Sequence, residues 1–120
     1  MTINVRTKGD ITILDLQGNL GLGESVATFR NQIQELVSAG VKKVAVNLAG
    51  VMFVDSSGIG SMVGAHTALE GIGGQCKFFA AQPRVIRTLD LTHMSEVFDM
   101  HDGEAATLAS FASSPQGSRP

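Results

Sequence analysis

The sequence predicts an α/β protein built on a mixed, mostly parallel sheet. Three observations carry that prediction. Short runs rich in β-branched residues alternate with apolar residues at helical spacing from residue 11 onward. Glycine-rich breaks at 18–23, 40 and 71–74 separate the two patterns. The run "KKVAVNL" (42–48) is apolar in a way that suits a strand covered on both faces, as in the middle of a parallel sheet. Strand-helix-strand alternation of this kind implies βαβ units, giving about four to five strands and about four helices.

Each element has its own local reason. "INVRT" (3–7) and "ITILDLQ" (11–17) flank Lys8-Gly9-Asp10 and read as a hairpin. Glu24 or Ser25 suits the start of a helix, whose apolar face is Val26, Phe29, Ile33, Leu36 and Val37 and whose stop is Gly40. After Gly58, residues Ile59, Met62, Val63, His66 and Leu69 recur at helical spacing. "CKFFAA" (76–81) reads as a strand, and Pro83 opens a helix with Val85, Ile86 and Leu89 inward. "EVFDM" (96–100) is a last edge strand and "EAATLASFA" (104–112) a last helix. The domain is expected over 1–112, and the apolar-poor tail at 113–120 is expected to be disordered.

Composition excludes several function classes. A formal charge of -2, with Lys42-Lys43 and Arg84/Arg87 as the only local basic groups, offers no face for nucleic acid. Those basic residues read as solvated surface charge. Cys76 is the only cysteine, so it forms no internal disulfide or cysteine-based zinc site, and its apolar neighbours suggest a buried thiol. Three scattered histidines do not suggest a metal site, and no cofactor is expected. No apolar run is long enough to span a bilayer and the N-terminus has no signal region, so a cytoplasmic protein without membrane insertion is expected.

The informative stretch is "VMFVDSSGIGSMVG" (51–64), where an apolar run breaks into Asp55-Ser56-Ser57-Gly58 and turns apolar again. A nucleophile elbow needs glycines two residues either side of the serine, which neither Ser56 nor Ser57 has. His66 reads as a packed residue about two turns further on, and His93 and His101 as exposed, so no catalytic residue is assigned. The glycines are spaced G-x-G-x-x-x-G, with Val63 where a dinucleotide loop needs a small residue. Gly60 and Gly64 read instead as letting the helix approach its sheet. A third chemistry remains: Asp55 caps a helix, and Ser57 lies in the first turn beside unpaired N–H groups that tolerate a phosphoryl group. Residue chemistry alone leaves simple capping and capping plus modification both open.

The arrangement resembles the STAS domain, specifically the bacterial anti-sigma-factor antagonists, over about residues 3 to 110. The segment "NLAGVMFVDSSGIGSMVGA" carries the resemblance, with the Gly18-x-Leu20 turn and "PRVIRTLDLTHMSEVFDM" in support. The resemblance implies a non-enzymatic partner switch. The unmodified protein binds an anti-sigma factor that is also a serine kinase, is phosphorylated on Ser57, and is reset by a phosphoserine phosphatase. It implies that Asp55, Ser56 and Gly58 shape the acceptor site, and that Gly21, Glu24, Ile59, Ser61 and Met62 line the partner surface. Ile59 and Met62 also read as core residues. Gly21 stands where the family often carries an aspartate. Related STAS domains act as subunits of transport or signalling complexes without phosphorylation, which is the alternative function. A small nucleotide-binding or hydrolytic protein built around Gly58 and Gly60 is a third.

Overall fold

The computed structural model describes residues 1–21 and 23–112. The chain runs β1 (Thr2–Lys8), β2 (Ile11–Gln17), α1 (Glu24–Ser38), β3 (Lys43–Gly50), α2 (Ser56–Gly71), β4 (Gln75–Phe79), α3 (Pro83–Leu91), a 3₁₀ turn (Met94–Glu96), β5 (Asp99–His101) and α4 (Glu104–Ala112). The strands form one sheet in the order β1-β2-β3-β4-β5, antiparallel between β1 and β2 and parallel elsewhere. The predicted tail at 113–120 lies outside the described residues.

Strand alternation divides the interior in two. Leu14 and Leu16 of β2, Val44, Val46 and Leu48 of β3, and Cys76 and Phe78 of β4 face one way. There they pack against Phe29 and Ile33 of α1, Met62, Ala65 and Leu69 of α2, and Val85 and Leu89 of α3. Ile11, Ile13, Ala45 and Phe79 face the other way and meet Phe111 of α4. The central strand β3 is therefore covered on both sides, as its sequence predicted. Burial pushes the Cys76 thiol up to about 12.

The face under α4 is partly polar. Arg6 Nε donates to Asp15 Oδ2 at 2.7 Å and its guanidinium also reaches Glu104 at the start of α4. Asp15 further accepts from Asn47 at 2.9 Å and Asn4 at 3.2 Å. One cluster thus ties β1, β2, β3 and α4 together. The Arg6 hydrogen bond, aided by Asn47 and Asn4 and opposed by burial, holds the Asp15 carboxyl down to about 2.

Several boundaries differ from the sequence reading. The strand at "CKFFAA" ends at Phe79, because Ala80 turns into the left-handed region at φ 59°. Ile86 is 41% exposed and does not join the core, since α3 turns only Val85 and Leu89 inward. The first part of "EVFDM" is not strand: Glu96 closes the 3₁₀ turn, Phe98 packs into the core, and β5 covers only Asp99–His101. His93 is exposed as expected, whereas His101 is half-buried, with Nε2 2.7 Å from Asp99 Oδ1. His66 packs edge-on against Phe98, ring centroids 6.4 Å apart.

Two predictions follow from these contacts. A left-handed alanine costs about 1–2 kcal/mol relative to a residue without Cβ, so Ala80→Gly raises the thermal midpoint. Differential scanning calorimetry checks it; a lowered midpoint contradicts the strain. The second concerns acid. Because the folded pKa of Asp15 is depressed, its stabilisation is complete above the unfolded value near 4 and is lost as pH falls toward 2. Urea midpoints measured from pH 5 to 2 therefore fall less steeply for Asp15→Asn than for the wild type.

Candidate functional site

The site forms where β3 leaves the sheet. Val51–Val54 run across the end of the strand, and Val54 makes an isolated parallel bridge to Leu20. Leu20 N–H donates to the Phe53 carbonyl at 3.0 Å, and Asp55 N–H donates to the Leu20 carbonyl at 3.3 Å. These bonds fix the entry into α2. The first helical turn then comes so close to the β2–α1 connection that a Cβ on Gly58 would collide with the Leu20 carbonyl oxygen. Gly58 is therefore a steric requirement of this crossing.

Asp55 is the N-cap, in extended conformation at φ -104° and ψ -174°. Its Oδ1 accepts from Gly58 N–H at 3.0 Å, the capping geometry predicted from sequence. The same oxygen accepts from the Ser57 hydroxyl at 2.6 Å. Ser57 is half-buried and Ser56 exposed. The Ser57 oxygen is thus held at the positive end of a 16-residue helix by the carboxylate that caps it.

Gly21 lies directly behind that carboxylate: a Cβ there would sit 2.9 Å from Asp55 Oδ2. A side chain at 21 and the present position of Asp55 exclude each other. The glycine and the cap geometry form one unit. Ser25, in the first turn of α1, locks this loop: its hydroxyl accepts from Gly21 N–H at 3.1 Å and donates to the Gly21 carbonyl at 3.0 Å. Sequence reasoning missed this role of Ser25, although an i, i+4 serine after a glycine-rich turn is a recognisable local signal. Glu24 is exposed at the first position of α1, with Gly23 as N-cap.

The expected partner surface needs correction. Ile59, Ser61 and Met62 are 9%, 3% and 0% exposed. They face α1 and the sheet because α2 is wedged between both, and Ser61 donates to the Gly58 carbonyl at 2.7 Å. Gly21 is also buried, beneath Asp55. Exposed on α2 are Ser56, Gly60, Gly64, Thr67, Glu70 and Gly71, and in the preceding connection Met52 and Phe53 are 55% and 45% exposed. The two glycines do not serve a close approach to the sheet, since a Cβ on either would meet open space.

Other chemistry finds little to work with at Ser57. His66 lies nine residues along α2, about 13 Å at the helical rise, too far to act as its base. No group of three or more His, Cys, Asp or Glu suited to a metal occurs among the described residues. No helix among them is long and apolar enough to cross a membrane.

The chain is similar to known proteins over most of its length. Residues 2–107 match the STAS domain. An anti-sigma-B factor antagonist from Bacillus subtilis (strain 168) is 30% identical over 104 residues, 83% of this chain and 92% of that protein. An anti-sigma-factor antagonist (STAS) domain protein from Planctomyces limnophilus superposes with a TM-score of 0.74 at 25% identity, over 89% of this chain and 96% of that one. The Bacillus cell fate determinant SpoIIAA in its phosphorylated form has the same fold, with a TM-score of 0.71 at 18% identity over 92% and 99% of the two chains. The chain belongs to the STAS domain family, among the bacterial anti-sigma-factor antagonists.

Proposed function

We propose that this protein is an anti-sigma-factor antagonist switched by phosphorylation of Ser57, and that it is not itself an enzyme. In this reading the unmodified chain binds a cytoplasmic anti-sigma factor with serine kinase activity, and a phosphoserine phosphatase restores it. The observation that carries the reading is the Ser57 hydroxyl, held 2.6 Å from the capping Asp55 carboxylate next to the exposed Ser56. Asp55 orients the acceptor oxygen, Ser56 and Gly58 set its surroundings, and the kinase supplies ATP and the metal. The Ser57 oxygen displaces ADP from the γ-phosphorus and passes its proton to a base of the kinase, so the hydrogen bond to Asp55 ceases to exist. The new phosphate, carrying nearly two negative charges, then stands beside a carboxylate and must turn toward the helix N–H groups and the solvent. A partner fitted closely to that surface loses its contact. A tenfold weakening requires only about 1.4 kcal/mol.

The exposed glycines support a docking role for the same face. Each glycine inside a helix costs about 1 kcal/mol relative to alanine, and neither Gly60 nor Gly64 repays this by packing within the chain. Together with Met52, Phe53 and Ser56 they leave a low surface onto which another protein can close. Glu24 is a further exposed contact candidate at the start of α1.

A second reading rests on the same hydrogen bond. Ser57 and Asp55 satisfy each other as a cap, which suits a STAS subunit held constitutively in a transport or signalling complex. Ser57→Asp separates the two: partner binding falls at least tenfold for the switch and stays unchanged for the constitutive subunit. Intact mass after incubation with the cognate kinase and ATP gives the direct test. One phosphate is expected on the wild type and none on Ser57→Ala; equal yields on both sink the switch. Gly60→Gln separates docking from folding. Its thermal midpoint is expected to hold or rise, by up to about 1 kcal/mol of stability, while kinase binding measured by calorimetry falls.

A further inference from the structure

Away from Ser57, a cavity of about 250 Å³ opens where the carboxyl ends of β4 and β5 meet α3. Its wall is apolar, made by Ala80, Ala81, Ile86, Leu89 and Met100. Its polar residues are unlike those of an anion site: His101, Asp90 and Asp102 line it, with no lysine or arginine among the described lining residues. None of these residues belongs to the Ser57 face.

Two features of the surroundings are unfavourable for folding and converge on this cavity. The non-glycine residues with left-handed backbone among the described residues are Ala80 and His93. Ala80 forms part of the wall, and His93 starts the 3₁₀ turn that brings Ser95 to the rim. Strain of this kind concentrates where a chain shapes a site. Asp90 is the second feature. It occupies the last turn of α3, at the negative end of the helix dipole, where an acid is disfavoured and where no basic residue offsets it. Neither Asp90 nor Asp102 has an ion-pair partner within 4 Å among the described residues. A cation in the cavity would relieve both the carboxylates and the helix end at once.

We propose that this cavity is a binding site for a small amphiphilic cation, a primary ammonium on an apolar body of about eight non-hydrogen atoms. A cavity of about 250 Å³ has room for a body of this size. The apolar body occupies the space between Ile86, Leu89 and Met100, and the ammonium faces Asp90 and Asp102 at the mouth. Phosphates and nucleotides are excluded, since both carboxylates would repel them.

Benzylammonium, benzyl alcohol and benzoate share a shape and differ in charge, which makes them suitable probes. Each is titrated into the full, isotope-labelled chain at pH 7 and low salt, and the amide resonances of Ala81, Leu89, Met100 and Asp102 are followed. Benzylammonium is expected to give saturating shifts at these amides with millimolar affinity. Benzyl alcohol is expected to bind at least fivefold more weakly, and benzoate not at all. The variant carrying Asp90→Asn and Asp102→Asn changes only exposed positions, and is expected to weaken benzylammonium at least fivefold with the rest of the spectrum unchanged. Absence of saturable shifts with benzylammonium, equal affinity for the three probes, or unaltered affinity in the double variant overturns the proposal.

Discussion

The crossing of α2 over the Leu20 carbonyl is the constraint on which the site depends. That oxygen accepts from Asp55 N–H and leaves no space for a side chain at residue 58. With Gly58 in place, the helix can begin directly against the β2–α1 connection, and Asp55 becomes its cap by necessity. The cap carboxylate then has one oxygen to share between Gly58 N–H and the Ser57 hydroxyl. Gly21, closed in by Ser25, completes the enclosure from behind. Acceptor orientation, helix start and loop position are consequences of one close backbone approach.

Much of this was legible in the residues. Period-two and helical patterns identify the strands and helices, and the Asp-Ser-Ser-Gly order identifies the cap, because these depend on neighbours in the chain. What the pattern could not supply was depth. Ile59, Ser61 and Met62 sit on the same helix as the exposed Ser56 and Gly60. Which side faces a partner is decided by α1 packing across it, a contact distant in sequence. Ile86 was misplaced for a related reason: Val85, Ile86 and Leu89 fit one apolar stripe, but the end of the sheet admits only two of them. The early end of β4 arises from the backbone of Ala80, a residue type that carries no turn signal.

The two faces of the sheet are stabilised by different physics. On the α1, α2 and α3 side the contacts are almost wholly apolar. On the α4 side a small apolar cluster is flanked by the Arg6–Asp15–Glu104 group and by Lys77, which is 4% exposed, pairs with Asp99 at 2.6 Å and lies over the Phe111 ring. The acceptor surface is therefore underpinned by the more apolar of the two faces.

Burial of the single cysteine has a practical side. A thiol titrating near 12 and closed off inside the sheet is inert to maleimide and iodoacetamide at neutral pH, where the thiolate is the reacting species. A cysteine introduced at an exposed position such as Thr67 would be the one site to react, so a dye or spin probe can be attached to the outer face of α2 with the native Cys76 left in place. The domain thus comes already prepared for distance measurements between that helix and whatever docks on it.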